Sequence, residues 1–188
     1  NDEDKLRTPC VDVEPHEVEE IVRYLEQELK KSEDLGSPGI GLAAPQIGIF
    51  KKAAIIRLGD YKINLINCKI SEQFQPFQFA EEGCLSFPGK NISTHRYKEI
   101  YVTDNLVEPK SFYASELLAV AIQHELDHVN GVLMFERQVK PLLRGAKGGP
   151  NDPFPGGKKN SAGQVLMFNK CCRDEMQFIT EAKERNTA

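Results

Sequence analysis

The sequence lacks an excess of positive charge and lacks long apolar runs. Its 188 residues carry a formal net charge of −4. This acidic balance argues against DNA or an anionic membrane as a partner, since both attract basic surfaces. No run approaches the roughly 18 apolar residues of a membrane-spanning helix. The opening residues, Asn1 to Asp4, include no initiator methionine, and no secretory signal is recognised behind them.

The sequence also lacks an even set of regularly spaced cysteines. The five cysteines are an odd number at irregular spacing, which fits a reducing compartment better than a disulfide framework. What is present is a globular composition, with 40% hydrophobic and 28% charged residues. A chain of this length can bury a core of its own. We therefore predict a single domain over residues 1–188.

Hydrophobic periodicity predicts an α+β fold in which antiparallel strands pack around a central buried helix. The helical period over 15–32 predicts an N-terminal helix. The segment 117–122 is apolar all round, so the helix predicted over 115–130 is expected to be buried, with Ser115 as its N-cap and Gly131 as its stop. The predicted strands are 53–58, 61–67, 69–79, 97–103 and 110–114, the first two joined by a Gly59-Asp60 turn and the last two by a turn at Asp104-Asn105.

The last part of the chain has a different composition. Glycine and proline supply nine of the nineteen residues in 145–163, which predicts an irregular loop. A helical pattern resumes after it, so a C-terminal helix is predicted over 164–188.

The strongest single motif is His124-Glu125-Leu126-Asp127-His128. Residues four apart on a helix are separated by about 40°, so both imidazoles leave one face and can bind one metal ion. Glu125 flanks them, where its carboxylate can take a proton from a water molecule that the metal activates. Unpaired, these polar groups would be costly in an apolar helix, which also favours a metal site.

A catalytic metal of this kind has three protein ligands and an open position, and the motif supplies two ligands. The zinc-peptidase pattern with a further histidine fails, because position 134 is methionine. The remaining candidates for the third ligand are Cys84, Glu136 and Glu175. Cys84 lies in a tight segment between predicted strands, where a thiolate could face the helix. A buried structural cysteine is the alternative interpretation.

Three segments together resemble, in order and spacing, the signature motifs of peptide deformylases. They are residues 39–46 (GIGLAAPQ), 82–86 (EGCLS) and 123–128 (QHELDH). Peptide deformylases remove the formyl group from the N-terminal formyl-methionine of newly made polypeptides and release formate. The resemblance implies that activity here, with Cys84, His124 and His128 as metal ligands and Glu125 as general acid and base.

The resemblance also implies further site residues. The Gln46 side chain and the backbone N–H of Leu85 would donate to the developing oxyanion. The implied substrate-binding residues are Gly39, Ile40, Gly41, Leu117, Val120 and Ala121, the glycines beside the peptide and the others around the methionine side chain. The residues implied to orient the ligands are Glu82, Arg96 and Asp127. His16 and His95 are expected to be exposed and without a role.

The implied cofactor is one divalent metal ion, Fe²⁺ in the cell, with Zn²⁺, Ni²⁺ or Co²⁺ possible in preparations. The implied partners are N-formylmethionyl nascent peptides, and the implied location is a bacterial-type cytoplasm or an organelle stroma or matrix. In some members a basic final helix docks on the ribosome. Here 164–185 contains four basic and four acidic residues, which argues against that contact. The sequence leaves the oligomeric state open.

Two departures and two alternatives accompany this interpretation. The short strand that the family has before Leu6-Arg7 is expected to be cut short here, and the loop over 145–163 is longer than the family pattern implies. A metallopeptidase that uses the same helix is the first alternative function. A metal-stabilised binding module without turnover is the second, although Glu125 beside the ligands favours catalysis.

Overall fold

The computed structural model describes residues 2–59 and 61–140. Asp60 of the predicted turn, the predicted loop over 145–163 and the predicted helix over 164–188 lie outside these residues. Within them the α-helices are α1 (Asp2–Leu6), α2 (Val18–Asp34) and α3 (Glu116–Val129). The strands are β1 (Gly41–Ala43), β2 (Ala53–Leu58), β3 (Tyr61–Ile66), β4 (Lys69–Gly83), β5 (Asn91–Thr103) and β6 (Phe112–Ser115). Short 3-10 turns span Pro15–Glu17, Ala44–Ile47 and Met134–Arg137.

The strands form two three-stranded antiparallel sheets, ordered β1-β2-β3 and β4-β5-β6. The prediction of an α+β fold with antiparallel strands is confirmed. Both β1 and β4 are edge strands within the described residues, so each presents one side to another element or to a ligand. No helix in the described part of the chain is long and apolar enough to cross a membrane.

Strand β2 separates two hydrophobic cores. Its alternate residues face opposite sides, as the two-residue period of a strand requires. Ala54, Ile56 and Leu58 join the core that α3 shares with both sheets. Ala53 and Ile55 join the core beneath α2. Helix α3 is thereby packed against both sheets, which explains why its segment 117–122 is apolar.

The ends of α3 show how its sequence sets its limits. Ser115 is the N-cap of α3, as predicted, and has the extended backbone of that position, although its side chain makes no capping hydrogen bond. At the other end Gly131 has φ 71°, the left-handed conformation that glycine adopts readily after a helix. The last turn of α3 therefore stops just beyond His128.

Several sequence-based expectations need correction. Strands β4 and β5 are longer than predicted and pair with each other, so the segment that contains Cys84 lies at their hairpin. The short strand β1 was not predicted, and residues Asp2–Leu6 are helical where a remnant strand was expected. His16 is exposed as predicted, but His95 is half-buried on β5 rather than exposed.

Candidate metal centre and active site

Three potential metal ligands meet where the β4–β5 hairpin contacts α3. Cys84 directly follows β4, while His124 and His128 lie one helical turn apart on α3. Their ligand atoms all lie within 4.8 Å of one another, and Cys84 Sγ is 3.2 Å from His128 Nε2. A thiolate and two imidazoles at this separation form a donor set suited to a tetrahedral divalent metal with one open position.

A buried carboxylate orients the first histidine. The Nδ1 atom of His124 lies 2.7 Å from Glu82 Oε1, which leaves Nε2 as the nitrogen available to a metal. Burial alone would raise the pKa of Glu82, but hydrogen bonds from Arg96 and His124 hold it well below its ordinary value. Glu82 is therefore an anion that fixes the tautomer of His124.

Arg96 lies behind this carboxylate and is 2% exposed. Its Nε and one terminal nitrogen donate to the two oxygens of Glu82 at 2.8 and 2.6 Å. Its other terminal nitrogen donates to Asp127 at 2.6 Å, and the Thr94 hydroxyl donates to Glu82 at 2.6 Å. Arg137, on the surface side, also donates a hydrogen bond to Asp127 at 2.8 Å. The chain of contacts from Asp127 to His124 thus crosses from α3 to both strands of the hairpin.

Glu125 is buried beside the ligands rather than among them. Its Oε2 atom has no hydrogen-bond partner among the residues described. Burial raises the pKa of its carboxyl group to about 7. A carboxylate with an unused oxygen and a pKa near neutrality can accept and return a proton.

The side chain of Gln46 is held in one orientation. Its Oε1 accepts a hydrogen bond from the backbone N–H of Ala43 at 2.8 Å, so its NH₂ group faces the other way. That group donates to Ser86 Oγ at 3.1 Å and lies 3.8 Å from Cys84 Sγ. Gln46 therefore presents an N–H donor at the edge of the ligand cluster.

A cavity of about 530 Å³ opens onto this cluster. Cys84, His124, Glu125 and Gln46 line it, together with four of the predicted substrate-binding residues: Gly39, Ile40, Gly41 and Ala121. Leu85 lines it as well, and a Cβ on Gly39 would lie 2.6 Å from the Leu85 side chain. Leu117 and Val120 are not among the described residues that line it; Val120 is buried and Leu117 packs on the core around α3.

Comparison with known proteins identifies the family. The family model described as polypeptide deformylase matches residues 1–143. The chain belongs to the peptide deformylase family. Its relatives include peptide deformylase of Clostridium botulinum, 39% identical over 137 residues that cover 72% of this chain and 90% of that protein. Peptide deformylase 1 of Bacillus subtilis is 40% identical over 124 residues, or 61% of this chain and 77% of that protein.

Solved deformylase structures share the fold. The enzyme of Synechococcus elongatus in complex with actinonin has a TM-score of 0.64 at 37% identity, covering 73% of this chain and 75% of that one. The Thermotoga maritima deformylase has a TM-score of 0.63 at 31% identity, covering 72% and 92%. The activity is therefore removal of the N-formyl group from nascent peptides. Deformylases are metalloenzymes, and the Cys/His/His cluster is a possible metal site in this chain.

The deformylase site includes contacts that sequence reasoning missed. Ser86 accepts a hydrogen bond from Gln46, and Thr94 and Arg137 complete the contacts of Glu82 and Asp127. These are single hydroxyl or guanidinium groups on segments that are distant in sequence from their partners, so no local sequence motif indicates the contacts. Of the alternative third ligands, Glu136 instead pairs with Arg7, and Glu175 lies outside the described residues.

Proposed function

We propose that this deformylase works through a metal held by Cys84, His124 and His128, with Glu125 as its general acid and base. The observation that supports this best is the convergence of the three ligand atoms within 4.8 Å, beside a buried carboxylate oxygen that has no partner in the described structure. A purely structural four-ligand site would not leave such a group beside the ligands.

The donor set fits a divalent metal. A bound divalent ion would supply Lewis-acid chemistry at this point, lowering the pKa of a water molecule toward neutrality. We propose Fe²⁺ as the ion in the cell, with Zn²⁺, Ni²⁺ or Co²⁺ able to occupy the same donors. Ligand affinity by itself favours zinc over iron, so availability and coordination geometry would decide the ion. Anaerobically prepared ferrous protein is expected to be more active than zinc-loaded protein.

Glu125 would move the proton. Its carboxylate takes a proton from the attacking water as oxygen bonds to the formyl carbon. It then delivers that proton to the nitrogen of methionine as the carbon–nitrogen bond breaks, which releases formate and a free amine. Both transfers lie on one side of the formyl group, so one carboxylate can serve both steps.

Gln46 and Leu85 would stabilise charge on the formyl oxygen. The fixed Gln46 amide offers an N–H donor beside Cys84. The backbone N–H of Leu85, the residue after Cys84, would be the second donor. Each such donor typically contributes about 3 kcal/mol, because it acts as negative charge develops. Since the Gln46 amide is neutral, it adds this without neutralising Glu125.

The substrate would be held by its backbone and one side-chain pocket. Gly41, the first residue of edge strand β1, and Gly83, the last residue of edge strand β4, both line the cavity, as does Gly39. An extended peptide could pair with either edge. The methionine side chain would contact Ile40 and Ala121 first. Leu117 and Val120, on the same helix as Ala121, would lie behind them. Replacing methionine with alanine is expected to lower kcat/KM more than changing the next two residues.

We propose the domain organisation and the location of the enzyme on the same basis. Helix α3, which carries the HExxH motif, would be the central helix of one catalytic domain over residues 1–188, between an N-terminal and a C-terminal helix. The enzyme would act where formylated chains are made, in a bacterial-type cytoplasm or an organelle stroma or matrix. The balanced charge of 164–185 gives no reason to propose a ribosome contact.

The deciding experiment is deformylation of formyl-Met-Ala-Ser by anaerobically prepared ferrous protein. Release of formate together with a free methionine amine is expected. Cleavage between residues of an unformylated peptide would favour the metallopeptidase alternative. Tight metal binding without release of formate would favour the binding module.

A further inference from the structure

Glu81 is a carboxylate on the wall of the catalytic cavity that the proposed reaction does not use. It is half-buried and lines the cavity with Gly83 and Cys84. Within residues 2–59 and 61–140 no hydrogen bond or ion pair engages its side chain. The carboxylate is therefore available to whatever enters the cavity.

The backbone at Glu81 departs from a regular strand. Glu81 has φ 61°, a left-handed conformation that is unusual for a residue other than glycine. The pairing of β4 with β5 shifts register between Phe79 and Glu82, so Glu81 lies in an irregularity of the strand. Such bulges change the direction of a side chain, and backbone strain of this kind clusters at ligand sites.

Among the described residues, the wall of the cavity offers Glu81 no permanently charged cation. None of the described lining residues is lysine or arginine, and the other carboxylate there is Glu125 at the catalytic end. The wall also includes Leu35, which is 83% exposed, and Pro38. Apolar surface together with an unpaired carboxylate suits a side chain with an aliphatic stem and a cationic head.

Distance along the strand indicates which substrate residue meets Glu81. Glu81 precedes Cys84 by three residues, which corresponds to at most about 10 Å at the 3.3 Å rise of a strand. A peptide whose formyl carbon lies beside the ligand cluster also advances about 3.3 Å per residue when extended. Its second or third residue would then lie beside Glu81.

We propose that Glu81 is a specificity-determining residue that makes the enzyme favour formylated chains with lysine or arginine at position two or three over chains with aspartate or glutamate there. The inference rests on the proposed function, because it assumes that the peptide runs from the ligand cluster along this cavity. It adds a charge preference to recognition through the methionine pocket and the backbone.

The test uses ferrous full-length protein and two short peptide series, formyl-Met-X-Ala-amide and formyl-Met-Ala-X-amide, with X as Lys, Gln or Glu. The amide removes the charge of the carboxyl terminus, so X carries the only charge that varies. At low ionic strength, kcat/KM for Lys is expected to exceed that for Glu by about three- to twentyfold in at least one series, since attraction and repulsion multiply. High salt should reduce this ratio toward one.

Variants then assign the preference to one residue. Glu81→Gln should remove the Lys-over-Glu ratio, and Glu81→Lys should reverse it. Glu72→Gln is the matched control, because Glu72 is an exposed carboxylate on β4 that does not line the cavity, and it should keep the wild-type ratio. The readout is a ratio within each variant, so a general loss of activity does not affect it.

The outcomes separate this inference from the proposed function. A ratio near one in the wild-type enzyme, or a ratio that survives in Glu81→Gln, overturns the role of Glu81 while deformylation itself stands. Absence of formate release from every peptide overturns the proposed function instead. A ratio that is lost only in the Glu81 variants supports the inference.

Discussion

Gly41 and Glu125 approach so closely that position 41 has no room for a side chain. A Cβ on Gly41 would lie 2.5 Å from Glu125 Oε1 and 2.9 Å from its Cγ. Strand β1 thus forms one wall against the proposed acid/base. Packing at this point therefore limits where the carboxylate can lie.

Gly41→Ala is therefore expected to displace the Glu125 carboxylate and to lower kcat by about 10²-fold, the usual cost of misplacing a reacting group by about 1 Å. Metal content should stay normal. If the effect acts through the carboxylate, Gly41→Ala should cost little further activity in a Glu125→Gln background. Gly59→Ala, at the distant β2–β3 turn where φ is 58°, is a control for loss of stability alone: it should lower stability but keep kcat. If the losses of activity in Gly41→Ala and Glu125→Gln were fully additive in the double variant, the explanation would be contradicted.

Arg96→Met is expected to destabilise the protein by about 3–5 kcal/mol, because it leaves Glu82 as a fully buried carboxylate without its guanidinium partner. Arg137→Met is the matched control. Arg137 also pairs with Asp127, but its side chain is 45% exposed, so its loss should cost about 0–1 kcal/mol. Urea unfolding of the metal-loaded proteins measures both. Similar losses for the two variants would show that burial of Arg96 does not matter.

Cys84→Ser and His128→Ala are expected to lose bound metal and, with it, stability, since metal binding is coupled to the folded state. Cys68→Ser removes a thiol that is not part of the ligand cluster and should keep its metal. Plasma emission measures metal content, and a thermal melt of each variant measures stability. A Cys84→Ser protein with full metal content would exclude Cys84 as a ligand.

Thiol reactivity provides a test without mutation. After removal of the metal, iodoacetamide should modify Cys84, which lines the cavity, and added metal should protect it. Burial raises the pKa of Cys68 to about 12, so its thiol stays protonated and should remain unmodified at both pH 7 and pH 9. Peptide mapping by mass spectrometry distinguishes the sites. Equal modification of Cys84 with and without metal would contradict its role.

Local patterns in the sequence predicted much of this fold. The periods of 3.6 and 2 residues identified α2, α3 and the strands, because each element has one face or both faces in a core. The lengths of β4 and β5 were underestimated, since the missed parts, 80–83 and 91–96, bury polar residues such as Glu82, Thr94 and Arg96 and so lack an apolar alternation. Three-residue β1 was missed because so short a strand has no period.

The site was predictable to the extent that its parts lie close together in sequence. The HExxH spacing brings His124, Glu125 and His128 together on one helix by itself. Cys84 reaches them through the β4–β5 hairpin, and only the resemblance to a family selected it over Glu136. The contacts of Thr94 and Arg137 depend on strand register and on the turn after α3. Such long-range pairings leave no trace in local spacing.

Glu125→Gln separates chemistry from metal binding most directly. The amide keeps the size and helix propensity of the side chain, and Glu125 is not part of the ligand cluster, so the variant should retain its metal. It cannot take a proton from water or deliver one to the leaving amine. We expect kcat to fall by about 10²–10⁴-fold, or further because one group serves both steps.

The matched control is Glu116→Gln, which changes an exposed carboxylate at the start of the same helix and should leave both kcat and metal content unchanged. Metal content by plasma emission, measured beside kcat on formyl-Met-Ala-Ser, distinguishes the outcomes. Near wild-type kcat in Glu125→Gln would eliminate the acid/base mechanism. Loss of metal together with activity would make Glu125 a ligand. It would also reopen the role of Cys84, because a metal with three protein ligands and one open position has no place for a fourth protein ligand.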